Sequence, residues 1–225
     1  NIDKEKVLHT PITDVEQLKH DLMNQLQNIE KTDHVIVILD SIGNLASKKE
    51  VDDATDGRSV ADMSRAKQMK SLFRMVTPHL TIKDIPMVVV NHTYKEIGMF
   101  PKDIVGGGTG SYYSADTIWI LGRQQEKTGT EITGYNFIIN VEKSRFVREK
   151  SKIPVAVSFN GGIQKYSGLV DIAIEGKFVA TQKDEFWKDI LSDKNFKEFV
   201  RKKYEITYGS IMGETPVLEA EPSEV

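Results

Sequence analysis

Three pairs of polar residues follow apolar runs and would stand where β-strands end. The pairs are His9–Thr10, Asp40–Ser41 and Asn91–His92. In an open parallel sheet, ligands bind beyond the carboxyl ends of the strands, so we expect the three pairs to lie near one another. Polar groups gathered at one sheet edge could bind a phosphate-bearing ligand and its metal ion.

Asp40 and His92 are the strongest chemical candidates at these strand ends. Asp40 follows the unbroken apolar run Val35–Leu39, the form of a Walker B strand, whose acid holds the water shell of magnesium beside a nucleotide. The structural alternative is that Asp40 only hydrogen-bonds the turn after its strand. His92 could sense a γ-phosphate, or it could be a structural histidine at a strand end. The five histidines are scattered and predict no metal site.

Two polar segments carry groups suited to a nucleic-acid backbone. The first polar segment spans residues 43–58 and the second spans residues 93–114. Basic side chains neutralise phosphates and aromatic rings stack on bases, so together the segments could bind a single strand. Acidic neighbours leave ordinary solvated loops as the alternative. The basic and aromatic candidates are Lys48, Lys49, Arg58, Lys95, Phe100, Lys102, Tyr112 and Tyr113.

Glycines and a late pair of cations complete the candidate residues. The run Gly106–Ser111 could offer backbone N–H groups to phosphate or simply be flexible. It is not a P-loop, because no lysine follows it, and the only Gly-Lys pair in the sequence is followed by Phe178 instead of Ser or Thr. Lys143 and Arg145 close another strand-like run and could reach a nucleotide, including one on a neighbouring subunit. A charged hairpin is the alternative reading.

The bulk composition excludes several classes of protein. A 225-residue chain that is 39% hydrophobic can bury one sizeable core. The net charge of −3 rules out nucleic-acid binding by overall positive field, so any such surface must be local. The absence of cysteine removes disulfides and thiol chemistry. No run is long enough for a membrane span or a signal peptide, which predicts a cytoplasmic protein without membrane partners.

The periodicity of apolar residues predicts an α/β fold with a mostly parallel, twisted sheet. After a β-like run at Lys6–His9, a capping box at Thr13 should start a helix whose apolar face carries Val15, Leu18, Leu22, Leu26 and Ile29. We predict that the strand Val35–Leu39 is central and covered on both faces. A second helix, with Val60, Met63, Ala66, Met69, Leu72 and Val76 on its apolar face, should end at Pro78, before a strand at Pro86–Asn91.

The later part of the chain predicts added structure at one edge of that sheet. Three strand-like runs, at residues 117–121, 135–141 and 153–159, follow one another without helix-length spacers, so we expect antiparallel edge strands. The predicted domains are a core at 1–168, docking helices at 169–208 and an acidic disordered tail at 209–225.

Four motifs together resemble the RecA-type recombinases of T-even phages, the UvsX family. The resemblance runs from about Lys6 to Gly168. Each motif is weak alone, but their order is distinctive. The motifs are Leu39–Glu50 (LDSIGNLASKKE), Ala66–Arg74 (AKQMKSLFR), Asn91–Tyr94 (NHTY) and Gly106–Gly110 (GGGTG).

The resemblance implies roles for the candidate residues. Asp40 would be the Walker B acid that holds Mg²⁺ through water, with Ser41 beside it, and His92 the polar switch before the second DNA-binding loop. Lys143 and Arg145 match paired cations that reach a neighbouring subunit's ATP across a filament interface. The two polar segments match the two DNA-binding loops, with DNA-binding residues Lys48, Lys49, Arg58, Lys95, Phe100, Lys102, Gly106, Gly107, Gly108, Thr109 and Gly110.

The resemblance also implies an activity and partners. Such proteins use ATP and Mg²⁺, form helical filaments on single-stranded DNA, pair it with homologous duplex, and work with mediator and single-strand-binding proteins. The family's Walker A loop and catalytic glutamate have no counterpart in these 225 residues, so we expect the chain alone not to hydrolyse ATP. A non-catalytic DNA-binding or filament-interaction module, or a hexameric helicase-type ATPase of the same fold, are the alternatives.

Overall fold

The fold is a mixed α/β architecture, seen here in a computed structural model that describes residues 3–58, 64–97, 103–106, 108–179 and 187–206. The chain divides into two compact units, with the boundary between Ala115 and Asp116. The predicted boundaries at residues 168 and 208 stay predictions, and the predicted acidic tail lies outside the described residues.

The described residues of the first unit form a short 3-10 turn, four α-helices and four short strands. The 3-10 turn spans Lys4–Lys6. The helices are α1 (Val15–Asn28), α2 (Lys48–Thr55), α3 (Ser64–Lys83) and α4 (Thr109–Ser114). The strands are β1 (Val37–Leu39), β2 (Met87–Val89), β3 (Thr93–Lys95) and β4 (Asp103–Val105). β1 pairs with β2 in parallel, and β3 pairs with β4 in antiparallel.

The core of the first unit forms where α1 and α3 pack on one face of the β1–β2 pair. The apolar face predicted for α1 is confirmed, since Val15, Leu18, Leu22 and Leu26 are all buried. From α3 come Met69, Leu72, Phe73 and Val76. Val37, Leu39, Met87 and Val89 pack against this cluster from the strands. Burial of these side chains supplies the main stabilisation of the unit.

Two strand predictions are wrong in the described structure. The strand before Asp40 is covered on one face only, because both helices pack on the same face, and Ile38 and Val88 remain 61% and 50% exposed. The Lys6–His9 run forms no strand, and Leu8 is 78% exposed. A strand needs a neighbour to pair its backbone groups, and the described residues offer Lys6–His9 none.

Helix boundaries also differ from the predictions for local reasons. α1 is capped by Asp14 and not Thr13, because the Asp14 carboxylate accepts from the Gln17 N–H at 2.8 Å. α3 continues past Pro78 to Lys83. Proline removes one backbone donor there, but Lys83 Nζ holds the last turn by donating to the carbonyl of Leu26 at 2.5 Å. Val60 and Met63 lie outside the described residues, and Ala66 is exposed.

The antiparallel pairing predicted for the later strands is confirmed, but they form a sheet of their own, and their predicted place at one edge of the parallel sheet stays a prediction. β5 (Thr117–Thr128), β6 (Glu131–Ser144), β7 (Lys152–Ser158) and β8 (Gly162–Ile163) form one sheet in that order, with every pairing antiparallel. The β5–β6 hairpin turns at Gly129, whose φ of +63° suits glycine. Strand-like runs at residues 117–121 and 135–141 predicted β5 and β6, but both strands extend several residues into polar sequence because each completes the other's hydrogen bonds.

In the described part of the second unit, the sheet is followed by three short helices; short helices after the sheet were predicted. They are α5 (Leu169–Glu175), α6 (Trp187–Ser192) and α7 (Lys194–Tyr204). Ile172, Ala173 and Phe196 form a small buried cluster among them. The Arg148 N–H donates to the Tyr204 carbonyl at 2.8 Å, which ties the end of α7 to the segment after β6. No helix in the described ranges combines the length and hydropathy needed to cross a membrane.

Candidate functional site

The parallel pairing of β1 and β2 brings two of the three polar pairs to the same sheet edge. The Val90 N–H donates to the Leu39 carbonyl at 2.9 Å, and the Ile42 N–H donates to the Val90 carbonyl at 3.0 Å. These bonds continue the ladder past both strands, so Asp40–Ser41 and Asn91–His92 leave the sheet side by side. Asp40 is exposed and its carboxylate is open to water.

His92 lies directly against the turn that follows Asp40. A Cβ added at Gly43 would stand 2.0 Å from His92 Cδ2, so the imidazole occupies the space that any larger residue at position 43 would need. This contact places the predicted polar switch next to the start of the first polar segment. Glycine is therefore required at position 43 because the His92 ring approaches it closely, and not because of an unusual backbone angle.

Asn91 ties the second polar segment to the same strand end. Its Nδ2 donates to the Gly106 carbonyl at 2.8 Å, and its Oδ1 accepts from the His92 N–H at 2.9 Å. The Gly106 N–H donates to the His92 carbonyl at 2.9 Å. The third predicted pair does not join this group, because Thr10 accepts from the Gln25 side chain in the last turn of α1.

The first polar segment contains a helix that we did not predict. Ser47 caps α2 in a capping box: its hydroxyl accepts from the Glu50 N–H at 3.2 Å, and the Glu50 carboxylate accepts from the Ser47 N–H at 2.7 Å. The signal Ser-x-x-Glu stands in the sequence and could have located this helix. The Lys48 N–H donates to the Glu16 carboxylate at 2.9 Å, which fixes the helix start to α1.

Three of the predicted DNA-binding cations are paired with acids of their own segments. Lys49 Nζ lies 3.8 Å from the Asp53 carboxylate. Arg58 pairs with Asp56 and lies 4.0 Å from Asp53. In the second segment, Lys95 Nζ lies 2.7 Å from Asp103 across the β3–β4 hairpin. These cations are exposed, and exposed ion pairs are worth about 0–1 kcal/mol, so a phosphate could displace the acids at small cost.

The glycine run of the second polar segment leads into a helix. Gly108 has a φ of +79° and precedes α4, whose first turn contains Thr109 and the buried Gly110. Gly110 is pressed against α3, since an added Cβ would lie 2.8 Å from Lys70 Cα. Three of the predicted DNA-binding residues, Phe100, Lys102 and Gly107, lie outside the described residues.

Lys143 and Arg145 stand at the end of β6 in the second unit. Arg145 is exposed, and its guanidinium lies 3.2 Å from the Asp116 carboxylate. Lys143 is half-buried. The turn after β6 is fixed by Ser144, whose buried hydroxyl accepts from the N–H groups of Phe146 and Val147, both at 3.1 Å. The two cations therefore project from a rigid strand end.

The strand-end group suits a magnesium nucleotide only through water. In the described part of the chain, no three His, Asp or Glu side chains converge as they would in a fully protein-ligated metal site. Magnesium commonly keeps several water ligands and needs only one or two carboxylates. The single exposed carboxylate of Asp40 fits that mode of binding, with the Ser41 hydroxyl next to it in sequence.

Comparison with known proteins identifies the class first. RecA proteins match at low identity: the RecA of Staphylococcus carnosus (strain TM300) is 23% identical over 180 residues, or 76% of this chain and 50% of its own length. The RecA of Limosilactobacillus reuteri (strain DSM 20016) is 23% identical over 147 residues, 64% of this chain and 40% of its own. No protein-family model matches the chain. The chain is thus similar, at low identity, to RecA proteins.

A much stronger match comes from a phage. The recombination and repair protein of Enterobacteria phage T4 is 50% identical over 202 residues, which cover 90% of this chain and 52% of the phage protein. The resemblance inferred from the four motifs is confirmed. The chain spans about half the length of the curated relatives it matches.

Proposed function

We propose that this chain is the core of an ATP-dependent recombinase that forms filaments on single-stranded DNA and promotes homologous pairing and strand exchange in recombination, repair and replication. The observation that carries the proposal is the 50% identity, over 90% of the chain, to a phage recombination and repair protein. The adjacency of Asp40, His92 and both polar segments supports it, because a nucleotide bound there could affect both segments.

At the strand end, each residue has a proposed task. ATP with Mg²⁺, when bound, supplies the free energy of phosphoryl transfer for the proposed activity. Asp40 orients the water shell of the ion through its exposed carboxylate, and Ser41 stands beside it. His92, packed on Gly43, is placed to pass a change at the nucleotide to both polar segments. Lys143 and Arg145 neutralise phosphate charge on the neighbouring subunit of the filament.

Single-stranded DNA binds along the two polar segments. Lys48, Lys49 and Arg58 neutralise phosphates in the first segment, and Lys95 and Lys102 do so in the second. Phe100 offers a ring for base stacking. The glycines of the run Gly106 to Gly110 carry no side chains, so the DNA backbone could approach this run closely.

The β1–β2 pair would belong to a wider, mostly parallel, twisted sheet in the whole protein. Its apolar residues Ile36, Ile38, Val88 and Val90 point to the face that α1 and α3 leave uncovered. Branched apolar side chains on both faces are typical of parallel strands covered by helices on each side.

A chimera tests the ATPase part of the proposal. The matched segment of the phage T4 protein is replaced by this chain, and ATP hydrolysis is measured with and without single-stranded DNA. We expect stimulation by the DNA, and a loss of about a hundredfold or more after Asp40→Ala. A matched control is Asp33→Ala, an exposed acid before the strand. A chimera that folds but shows no DNA-stimulated hydrolysis would contradict the proposal.

The cross-subunit role has a separate test. Chimeric subunits carrying Lys143→Ala and Arg145→Ala are mixed with subunits carrying Asp40→Ala, and hydrolysis is measured. Recovery of activity is expected, because a mixed filament contains interfaces with both an intact acid and intact cations. Lys127→Ala with Lys152→Ala removes the same charge from exposed positions of the same sheet and should not impair activity. Absence of recovery would show that the cations act within their own subunit.

A second candidate function is a DNA-binding module without its own catalysis. The observation that favours it is that the 225 residues contain no P-loop sequence. The chain by itself should then bind single-stranded DNA with a steep salt dependence and without nucleotide. Lys48→Ala, Lys49→Ala and Lys102→Ala together should weaken binding and lower the salt slope, whereas Lys4→Ala, Lys6→Ala and Lys31→Ala should do neither. Equal effects of the two triple variants would argue against the polar segments.

A further inference from the structure

Arg65, near the start of α3, holds the loop between Asp40 and the first polar segment. Its guanidinium donates to three backbone carbonyls: Leu45 at 2.6 Å, Ile42 at 2.9 Å and Gly43 at 3.0 Å. The donors come from one planar, rigid group, so they fix the three carbonyls relative to one another as well as to α3. A lysine also has three N–H donors, but they share one nitrogen and lack the planar arrangement, so lysine would not hold the three carbonyls in the same geometry.

The residue before Arg65 adds a second anchor to the same loop. The Ser64 hydroxyl donates to the Ser47 hydroxyl at 2.9 Å. Ser47 is fully buried and caps α2. Two adjacent residues of α3 therefore hold both ends of the loop that begins at Ile42 and ends at Ser47, the residue that caps α2.

The same loop passes against His92. Gly43, whose carbonyl Arg65 binds, is the residue on which the imidazole of His92 rests. A shift of the loop would therefore change the position of α2 and the seat of His92 together. Arg65 is half-buried, and its bonds to the loop have ordinary or short lengths, so the arrangement is well suited to hold one loop geometry.

We propose that Arg65 is a positioning residue that fixes the first polar segment relative to the strand end and thereby sets the affinity for single-stranded DNA. The effect on affinity rests on the proposed DNA binding. Arg65 acts through the carbonyls of Ile42, Gly43 and Leu45, and its guanidinium does not contact the phosphates. Hydrogen bonds from a charged donor are stronger than those from a neutral donor, so an uncharged side chain cannot replace the guanidinium.

The test compares Arg65→Gln and Arg65→Lys with the control Arg74→Gln in the 225-residue chain. Arg74 is an exposed arginine of the same helix. Two quantities are measured: hydrogen exchange of amides in α2, and binding of a fluorescein-labelled oligothymidylate over a range of salt concentrations. Circular dichroism confirms that each variant is folded, and Arg65→Lys serves if Arg65→Gln does not fold.

We expect Arg65→Gln to speed exchange in α2 and to weaken binding, each by roughly tenfold, with Arg65→Lys intermediate and Arg74→Gln unchanged. The salt slope of binding should stay the same, because no phosphate contact is removed. A salt slope lower by about one would identify Arg65 as a direct phosphate ligand and overturn the proposal. Faster exchange with unchanged affinity would also overturn it. If the parent chain binds no DNA, the proposed function fails, while unchanged exchange in Arg65→Gln would separately refute the positioning role.

Discussion

Gly110→Ala should destabilise the first unit, because α4 packs against α3 through this glycine. Gly110 is buried, and an added Cβ would lie 2.8 Å from Lys70 Cα, 2.9 Å from Lys70 Cβ and 3.3 Å from Lys70 N. Carbon atoms in good contact are about 3.5–4.0 Å apart. The obstructing atoms belong to or adjoin the helix backbone and cannot rotate away, so α4 has to move by roughly 1 Å.

The expected cost combines two opposing effects. Forcing an extra carbon into a packed site costs about 1–3 kcal/mol. Replacing glycine by alanine within a helix returns up to about 1 kcal/mol. The net result is a loss of about 1 kcal/mol in the free energy of unfolding, with an upper bound of about 3 kcal/mol if the helix gain is absent. The displaced helix also moves the glycine run that we propose to lie along the DNA, so affinity for single strands should fall as well.

Gly122→Ala provides the matched control for this experiment. Gly122 lies in β5, and the nearest atom to an added Cβ is the Ile138 carbonyl oxygen at 3.8 Å, an ordinary contact. Glycine weakens a strand interior, so this change should be neutral or stabilise by about 0.5 kcal/mol. The two glycines lie in different units, so local hydrogen exchange in α3 and in β6 reports each effect separately. Unchanged protection of α3 in Gly110→Ala would refute the close packing of α4 on α3.

Three further substitutions test single contacts. Ser47→Ala removes the capping hydroxyl and should destabilise α2 by about 1 kcal/mol, seen as faster amide exchange in that helix and not in α7. Gly43→Ala should displace the His92 imidazole, which nuclear magnetic resonance of the ring protons would detect. Global stability should change by less than about 0.5 kcal/mol, because the ring is exposed. Unchanged ring resonances would refute the contact between Gly43 and His92. Burial raises the pKa of Tyr204 above 10.0. The contribution of the neutral phenol to stability is therefore complete below pH 10.0 and is lost as pH rises through the higher folded pKa. Tyr204→Phe should flatten that alkaline decline in stability, and an unchanged decline would refute the role of Tyr204.

The sequence alone located much of the fold and part of the site. Apolar residues at helical spacing identified α1 and the described part of α3, and strand-like runs identified β5 to β7, because these patterns follow directly from which side chains an element must bury. The order of strand-end residues also placed Asp40 and His92 together, since carboxyl ends of parallel strands meet at one edge. The helix in the first polar segment was not predicted, although the Ser-x-x-Glu pattern of its capping box is present in the sequence.

Only the tertiary structure showed how these pieces are held. The contacts of Arg65 and Asn91 could not be predicted from local pattern, because their partners are backbone carbonyls that lie 15 or more residues away in the chain. The packing of both helices on one face of β1 could not be predicted either, because an apolar run shows that a face can be buried but not which helix buries it. The pairing of Lys49, Arg58 and Lys95 with acids likewise depends on the folds of their segments. Sequence thus determined which residue types were available at the strand ends, and long-range contacts decided which of them act on one another.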